Sequence, residues 1–169
     1  MKRLGGLACL GLLVVLTGCS PISVRTDYDE EVDFAAYESF QWMPVLKKKD
    51  KRIIKKNSFL DRRIRRAVEH ELENRGYHVE AGDATDALLA YHIVVEDHVA
   101  VDHYGYRYRG PRYHARRYRE GTIIVDIIDS ETRELIWRGA ASGQVGHPNG
   151  DPEQIKVAVA KIFEKYPAE

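Results

Sequence analysis

The feature that most constrains the fold is a run of alternating residues from Ala87 to Val101. Leu89, Tyr91, Ile93, Val95, Val99 and Val101 fall on one face of an extended strand, while His92, Glu96, His98 and Asp102 lie mostly on the other. A strand of this length needs partners along its edges and a layer to cover its apolar face. Thr122 to Asp129, rich in Ile and Val, supplies a second strand. Asp129-Ser-Glu-Thr-Arg133 reads as a turn, and Leu135 to Ala141 returns with Trp137 on the core side. The last two segments predict a hairpin.

Two shorter strands precede this group. Ile22 to Tyr28 alternates, and Ser39-Phe40-Gln41-Trp42 alternates again. Between them Asp29 to Asp33 is acidic and turn-like, with Phe34 and Tyr37 placed to fold back onto the core. Ser58-Phe59-Leu60-Asp61 resembles a capping box with aspartate at its fourth position. Leu60, Ile64, Ala67, Val68, Leu72 and Arg75 then follow helical spacing, with Arg62, Arg63, Arg66 and Glu73 on the outer face. Gly76 is suited to end that helix in a left-handed conformation. Asp151-Pro152-Glu153-Gln154 starts a second helix, whose stripe is Ile155, Ala158, Val159, Ile162 and Phe163. Pro44 to Asn57, with seven basic residues in 47–56, reads as a solvated loop. The expectation is a single α+β domain: a mainly antiparallel sheet of about five strands with two amphipathic helices on one face.

The amino terminus, MKRLGGLACLGLLVVLTGCS, adds a location. Lys2 and Arg3 precede an apolar stretch from Leu4 to Leu16 that is too short for a stable membrane span. Leu16-Thr17-Gly18-Cys19 resembles a lipobox, in which cleavage falls before the cysteine. Residues 1–18 are thus expected to be a lipoprotein signal peptide. Residues 19–169 would form one periplasmic domain held by lipidated Cys19, with a diacylglycerol on its sulfur and a further acyl chain, such as palmitate, on its amine. Several chains on one residue give lasting attachment where a single chain gives marginal binding. Ser20 follows the cysteine, and the absence of aspartate there resembles outer-membrane rather than inner-membrane sorting in a Gram-negative envelope. Cys9 leaves with the signal peptide, so the mature domain has no disulfide and no thiolate metal site. Its 24 basic and 26 acidic side chains nearly cancel and give no global electrostatic preference.

The layout resembles the domain-of-unknown-function family 4136 of bacterial lipoproteins. The matching stretches are Thr26-Asp-Tyr28-Asp29 with Asp33-Phe34 and Tyr37, Asp61-Arg62-Arg63-Ile64 leading to Arg75-Gly76-Tyr77, and Gly121-Thr122 through Val125-Asp126 and Asp129 to Trp137-Arg138-Gly139. The resemblance covers most of the mature chain through order and spacing. It implies an envelope lipoprotein with a small α+β domain, and it brings no catalytic residues. It says nothing of residues 103–119, HYGYRYRGPRYHARRYR, which lie outside those stretches.

That stretch is the main candidate site. It holds Arg107, Arg109, Arg112, Arg116, Arg117 and Arg119 with Tyr104, Tyr106, Tyr108, Tyr113 and Tyr118. Arginine and tyrosine together suit nucleic acid, but an exported lipoprotein rarely meets it, and no nucleic-acid partner is expected. The same chemistry suits anionic lipid headgroups, peptidoglycan or an envelope protein. The plainer alternative is a flexible hairpin tip punctuated by Gly105, Gly110 and Pro111. For catalysis the chain has no phosphate loop and no nucleophile elbow. His92, Glu96 and His98 are the one combination that would give a metal-dependent or hydrolytic enzyme. The bland reading is a solvated strand face. No catalytic residue, metal or cofactor is expected. Asp126 and Asp129 do not form an acid–base pair, because a strand ending in a turn explains both.

Overall fold

The computed structural model describes residues 22–44, 58–80, 82, 85–104, 112–147 and 150–167. Its strands are β1 (Ser23–Tyr28), β2 (Ser39–Trp42), β3 (His78–Val79), β4 (Ala87–Tyr104), β5 (Arg112–Asp129) and β6 (Leu135–Gln144). The helices are α1 (Ser58–Glu73) and α2 (Pro152–Phe163), and a 3-10 turn covers Phe34–Ala36. One sheet runs in the order β1-β6-β5-β4-β2-β3. Pairs β1–β6, β6–β5 and β5–β4 are antiparallel, whereas β2 lies parallel to both β3 and β4. The sheet is therefore mixed but mostly antiparallel, and the fold is α+β as expected.

The register explains which side is covered. Leu89, Ile127 and Trp137 align across three strands, as do Tyr91, Val125 and Gly139, then Ile93, Ile123 and Ala141. These positions face one way, and Leu89, Val125, Ile127, Trp137 and Ala141 are all buried there. Ile64, Val68 and Leu72 of α1 and Ile155, Val159, Ile162 and Phe163 of α2 close over them in one cluster. At roughly 1.5–3 kcal/mol for each large apolar side chain, this interface dominates folding.

The helix ends follow the local chemistry. Tyr77 N–H donates to Leu72 C=O at 3.1 Å, and Gly76 N–H donates to Glu73 C=O at 2.9 Å. With Gly76 at φ +86 this is a Schellman closure of α1. Asp151 caps α2 by accepting from the N–H groups of Glu153 and Gln154, with Pro152 in the first turn. Asp61, part of the capping-box stretch in the sequence, reaches sideways. It accepts from Arg65 Nε at 2.9 Å and from the Tyr91 hydroxyl at 2.6 Å, fastening α1 to β4. Burial, and then that contact, push the Tyr91 phenol up.

Two boundaries differ from the sequence reading. A sixth strand, β3, has two residues and is too short to show alternation. It forms because α1 returns the chain alongside β2 in a parallel crossover. In addition, β5 begins at Arg112 rather than Thr122. Its basic and aromatic first half carries no apolar alternation, and it is drawn into the sheet by pairing with β4. Residues 103–104 and 112–119 are thus strand rather than loop. Positions 105–111, with Arg107, Arg109, Tyr106 and Tyr108, lie outside the described residues, as do Cys19 and the basic stretch at 47–56.

Candidate functional site

Strands β4 and β5 are much longer than their neighbours, and this builds the site. β2 leaves β4 after the pair Trp42–Leu89, and β6 ends opposite β5 at the pair Glu120–Gln144. A last tie is Val145 N–H to Arg119 C=O at 2.9 Å. Beyond it β4 and β5 pair only with each other, from Asp97–Arg119 out to Tyr104–Arg112. The sheet thus ends in a two-stranded ribbon projecting roughly 25 Å, both of whose edges are unpaired among the described residues. Isolated ribbons of this kind are marginally stable in water.

Strand alternation distributes the candidate residues over both ribbon faces. Arg117 and Arg119 share a face with Val95 and Val99, because Val95 pairs with Gly121, Asp97 with Arg119 and Val99 with Arg117. Arg116 and Tyr118 take the other face with His98 and Glu96. Arg116, Arg117 and Arg119 are exposed, and Val95 and Val99 are 55% and 60% exposed, an uncommon state for valine on a strand. Arg119 Nε lies 3.2 Å from the Asp97 carboxylate. Arg112 and Tyr113 are placed in the register opposite Tyr104 and His103. Arg116, Arg117 and Arg119 therefore form no single patch; they line both sides of a strip that also exposes valine.

The histidine-bearing strand does not bring its three alternative candidates together. His98 stacks on Tyr118 at 5.3 Å between ring centroids, and its Nε2 lies 3.5 Å from Glu96 and 4.0 Å from Glu120. His92, six residues back, is roughly 20 Å away along the strand. It instead approaches Asp126 at 3.4 Å. Among the described residues no three His, Cys, Asp or Glu side chains gather as a metal site.

Asp126 belongs to a different arrangement. It is buried on the sheet face away from the helices, where Arg138 on the neighbouring strand grips it with Nε at 2.6 Å and Nη2 at 2.8 Å. This forked contact raises the Arg138 pKa. Asp129 has the opposite parity. Its carboxylate accepts from the Tyr37 hydroxyl at 2.7 Å and from the N–H groups of Glu131 and Thr132. The tyrosine bond and these turn contacts hold Asp129 below its usual value, and the same bond pushes Tyr37 up to about 12.

A second feature was not anticipated. At the ribbon's root a cavity of about 280 Å³ opens between the sheet and the first turns of both helices. Its buried walls are Ile64, Ala141, Ile155 and Ala158, joined by Leu60, Ile93 and Ile123; its exposed members include Arg119, Gln144, His147 and Gln154. Gly121 and Gly143 stand directly opposite each other on β5 and β6 and leave the floor low. Gly150, at φ +65, lets the loop pass close to Ile155 and Leu60. The sequence signal was this set of three glycines, legible only once the register pairs two of them. Ile22, the first described residue, also lines the cavity. The start of β1, the cavity and the ribbon root therefore occupy one pole, and the Asp129–Arg133 turn lies at the other.

The fold belongs to a recognised class. The chain belongs to the family described as Domain of unknown function (DUF4136), which matches residues 24–168. A PDZ domain protein from Parabacteroides distasonis has a similar fold, with 15% identity, a TM-score of 0.58 and coverage of 88% of this chain. The chain spans 36% of that protein's length. Two crystal forms of the PelC dodecamer from Paraburkholderia phytofirmans align over 85% of this chain and 95% of theirs, at 11% and 10% identity and a TM-score of 0.47. No curated protein matches the chain. Among the described residues no helix is long and apolar enough to cross a membrane.

Proposed function

We propose that the protein is a lipid-anchored, non-catalytic module of the bacterial cell envelope whose arginine-tyrosine ribbon contacts anionic phospholipid headgroups. The observation that carries this reading is the shared pole. Ile22 lies three residues from Cys19, so an anchor there sits within ~10 Å of the cavity and ribbon root. Lipidation at Cys19 is supported by the lipobox-like Leu16-Thr17-Gly18-Cys19, and an outer-membrane position facing the periplasm by Ser20.

The chemistry of the ribbon supports the same orientation. Arginine pairs with phosphate through a planar fork. Tyrosine suits the boundary between apolar and wet zones, and the exposed valines add apolar contact. Each basic residue near an anionic surface contributes about 1 kcal/mol. The acids Glu96, Asp97 and Glu120 crowd the root, while Arg112, Arg116, Arg117 and Arg119 lie at or beyond it in the register.

The test uses the mature chain with Cys19→Ser and vesicles of anionic or zwitterionic phospholipid. Sedimentation with anionic vesicles only, weakening as salt rises, is the expected result. Replacing Arg107, Arg109, Arg112, Arg116, Arg117 and Arg119 by alanine should remove it. Equal sedimentation of both proteins would overturn the ribbon's role. Retention on isolated peptidoglycan but not on vesicles would replace the lipid surface with the cell wall.

A further inference from the structure

We propose that the cavity at the ribbon root holds one acyl chain of the lipid on Cys19. This rests on the lipid-anchor reading above and gives that lipid a place in the protein.

Three observations converge on this occupant. First, the cavity is apolar inside and polar outside. Ile64, Ala141, Ile155 and Ala158 are buried in its wall, whereas Arg119, His147 and Gln154 are exposed. A chain with an apolar tail and a polar attachment matches that gradient. Second, the volume of about 280 Å³ is roughly twice that of a dry engineered cavity known to take up benzene, so it admits a substantial length of chain. Third, Ile22 is itself part of the wall. Cys19 stands three residues before it in the sequence, a connection that spans at most ~10 Å. A lipid on that sulfur or amine is tethered beside the opening at high effective concentration.

Gly121 and Gly143 keep the space open. A Cβ on Gly143 would meet Ile22 Cγ1 at 3.6 Å, an ordinary contact, so a longer side chain is accommodated and extends into the cavity. Leucine at 143 thus competes with the acyl chain while leaving the backbone in place. Filling roughly two methylenes' worth of cavity should lower occupancy about tenfold.

The experiment supplies cells expressing the full chain with a fatty acid carrying a diazirine near its terminal methyl, followed by irradiation, delipidation of free phospholipid and peptide mapping. The expected result is a Cys19 lipopeptide crosslinked to peptides containing Ile64 or Ile155, reduced about tenfold in Gly143→Leu and in Ala158→Leu. Circular dichroism of both variants establishes that they fold. Labelled Cys19 crosslinked only to bilayer lipids would overturn this inference while leaving the anchor intact. Capture of phospholipid-borne label at Ile64 or Ile155 would overturn Cys19 as the source. Unlabelled Cys19 would remove both the inference and the anchor.

Discussion

At the scale of single residues, the strongest commitments are a buried carboxylate and a glycine. Asp126 has 4% of its side chain exposed and is held by the forked contact from Arg138. Arg138→Ala removes the fork and leaves that carboxylate only the exposed His92 at 3.4 Å, and the expected loss is about 2 kcal/mol in urea unfolding. Replacing both residues together by apolar ones of similar shape should cost less than Arg138→Ala alone, which a double-mutant cycle will show. Gly139 faces the helices, where an added Cβ would run into Ile162 Cγ2 and the Trp137 ring. Gly139→Ala should therefore destabilise by roughly 1–3 kcal/mol, measured the same way. Neither role was legible from the chain alone. In the sequence Asp126 reads as a strand-end acid, and Gly139 stands out only as the end of Trp137-Arg138-Gly139. Only the register places Arg138 opposite the first, and only the packing of α2 brings Ile162 against the second.

Protonation adds a pH signature at the same scale. Asp129 is held down by the Tyr37 hydroxyl, and Asp86 by the Ser39 hydroxyl with the backbone N–H groups of Ser39 and Glu38. A carboxylate depressed in the folded state stabilises above its ordinary value of 3.8, and that contribution is lost as pH falls through the depressed folded value. Tyr37 runs the other way. Raised from 10.0 to about 12, it stabilises fully below pH 10 and loses that contribution as pH rises through the folded value. Urea midpoints should therefore fall below about pH 4 and above about pH 10. Tyr37→Phe should flatten the alkaline limb. A variant as steep there as the parent would remove this bond as the cause.

At the scale of elements, the ribbon is separable from the core. Among the described residues, past Glu96 and Glu120 it pairs with no other sheet strand, and the Val145–Arg119 bond is its last tie. Replacing 98–118 by an Asn-Gly turn joins the registered pair Asp97 and Arg119 with a favoured two-residue hairpin loop. The melting temperature should move by no more than about 2 °C, while vesicle binding disappears. A large fall in stability would make the ribbon part of the folding unit. Both helices were legible because their stripes repeat at helical spacing and their ends carry Gly76, Asp151 and Pro152. β2 was legible from Phe40 and Trp42. The first half of β5 was not, since Arg112 to Arg119 offers charge and rings rather than apolar alternation. It becomes a strand through its long-range pairing with β4.

For the whole molecule, the proposed function turns on orientation. The two ends of the long hairpins differ in chemistry. One pole gathers Ile22, the cavity and the arginine-bearing ribbon; the other carries Glu131 in the tight turn after β5. Of these, the lipobox-like start and the basic-aromatic stretch were legible in the chain, but nothing local shows that positions 22, 95, 119 and 143 meet. That follows from β1 pairing with β6, β6 with β5, and β5 with β4. The most direct test is depth in the bilayer. A polarity-sensitive fluorophore is placed on a cysteine at Val99 or at Glu131 of the lipidated chain in anionic vesicles and is quenched by lipids brominated along their tails. The account predicts strong quenching at 99 and none at 131. Equal quenching at both sites, or stronger quenching at 131, would contradict it.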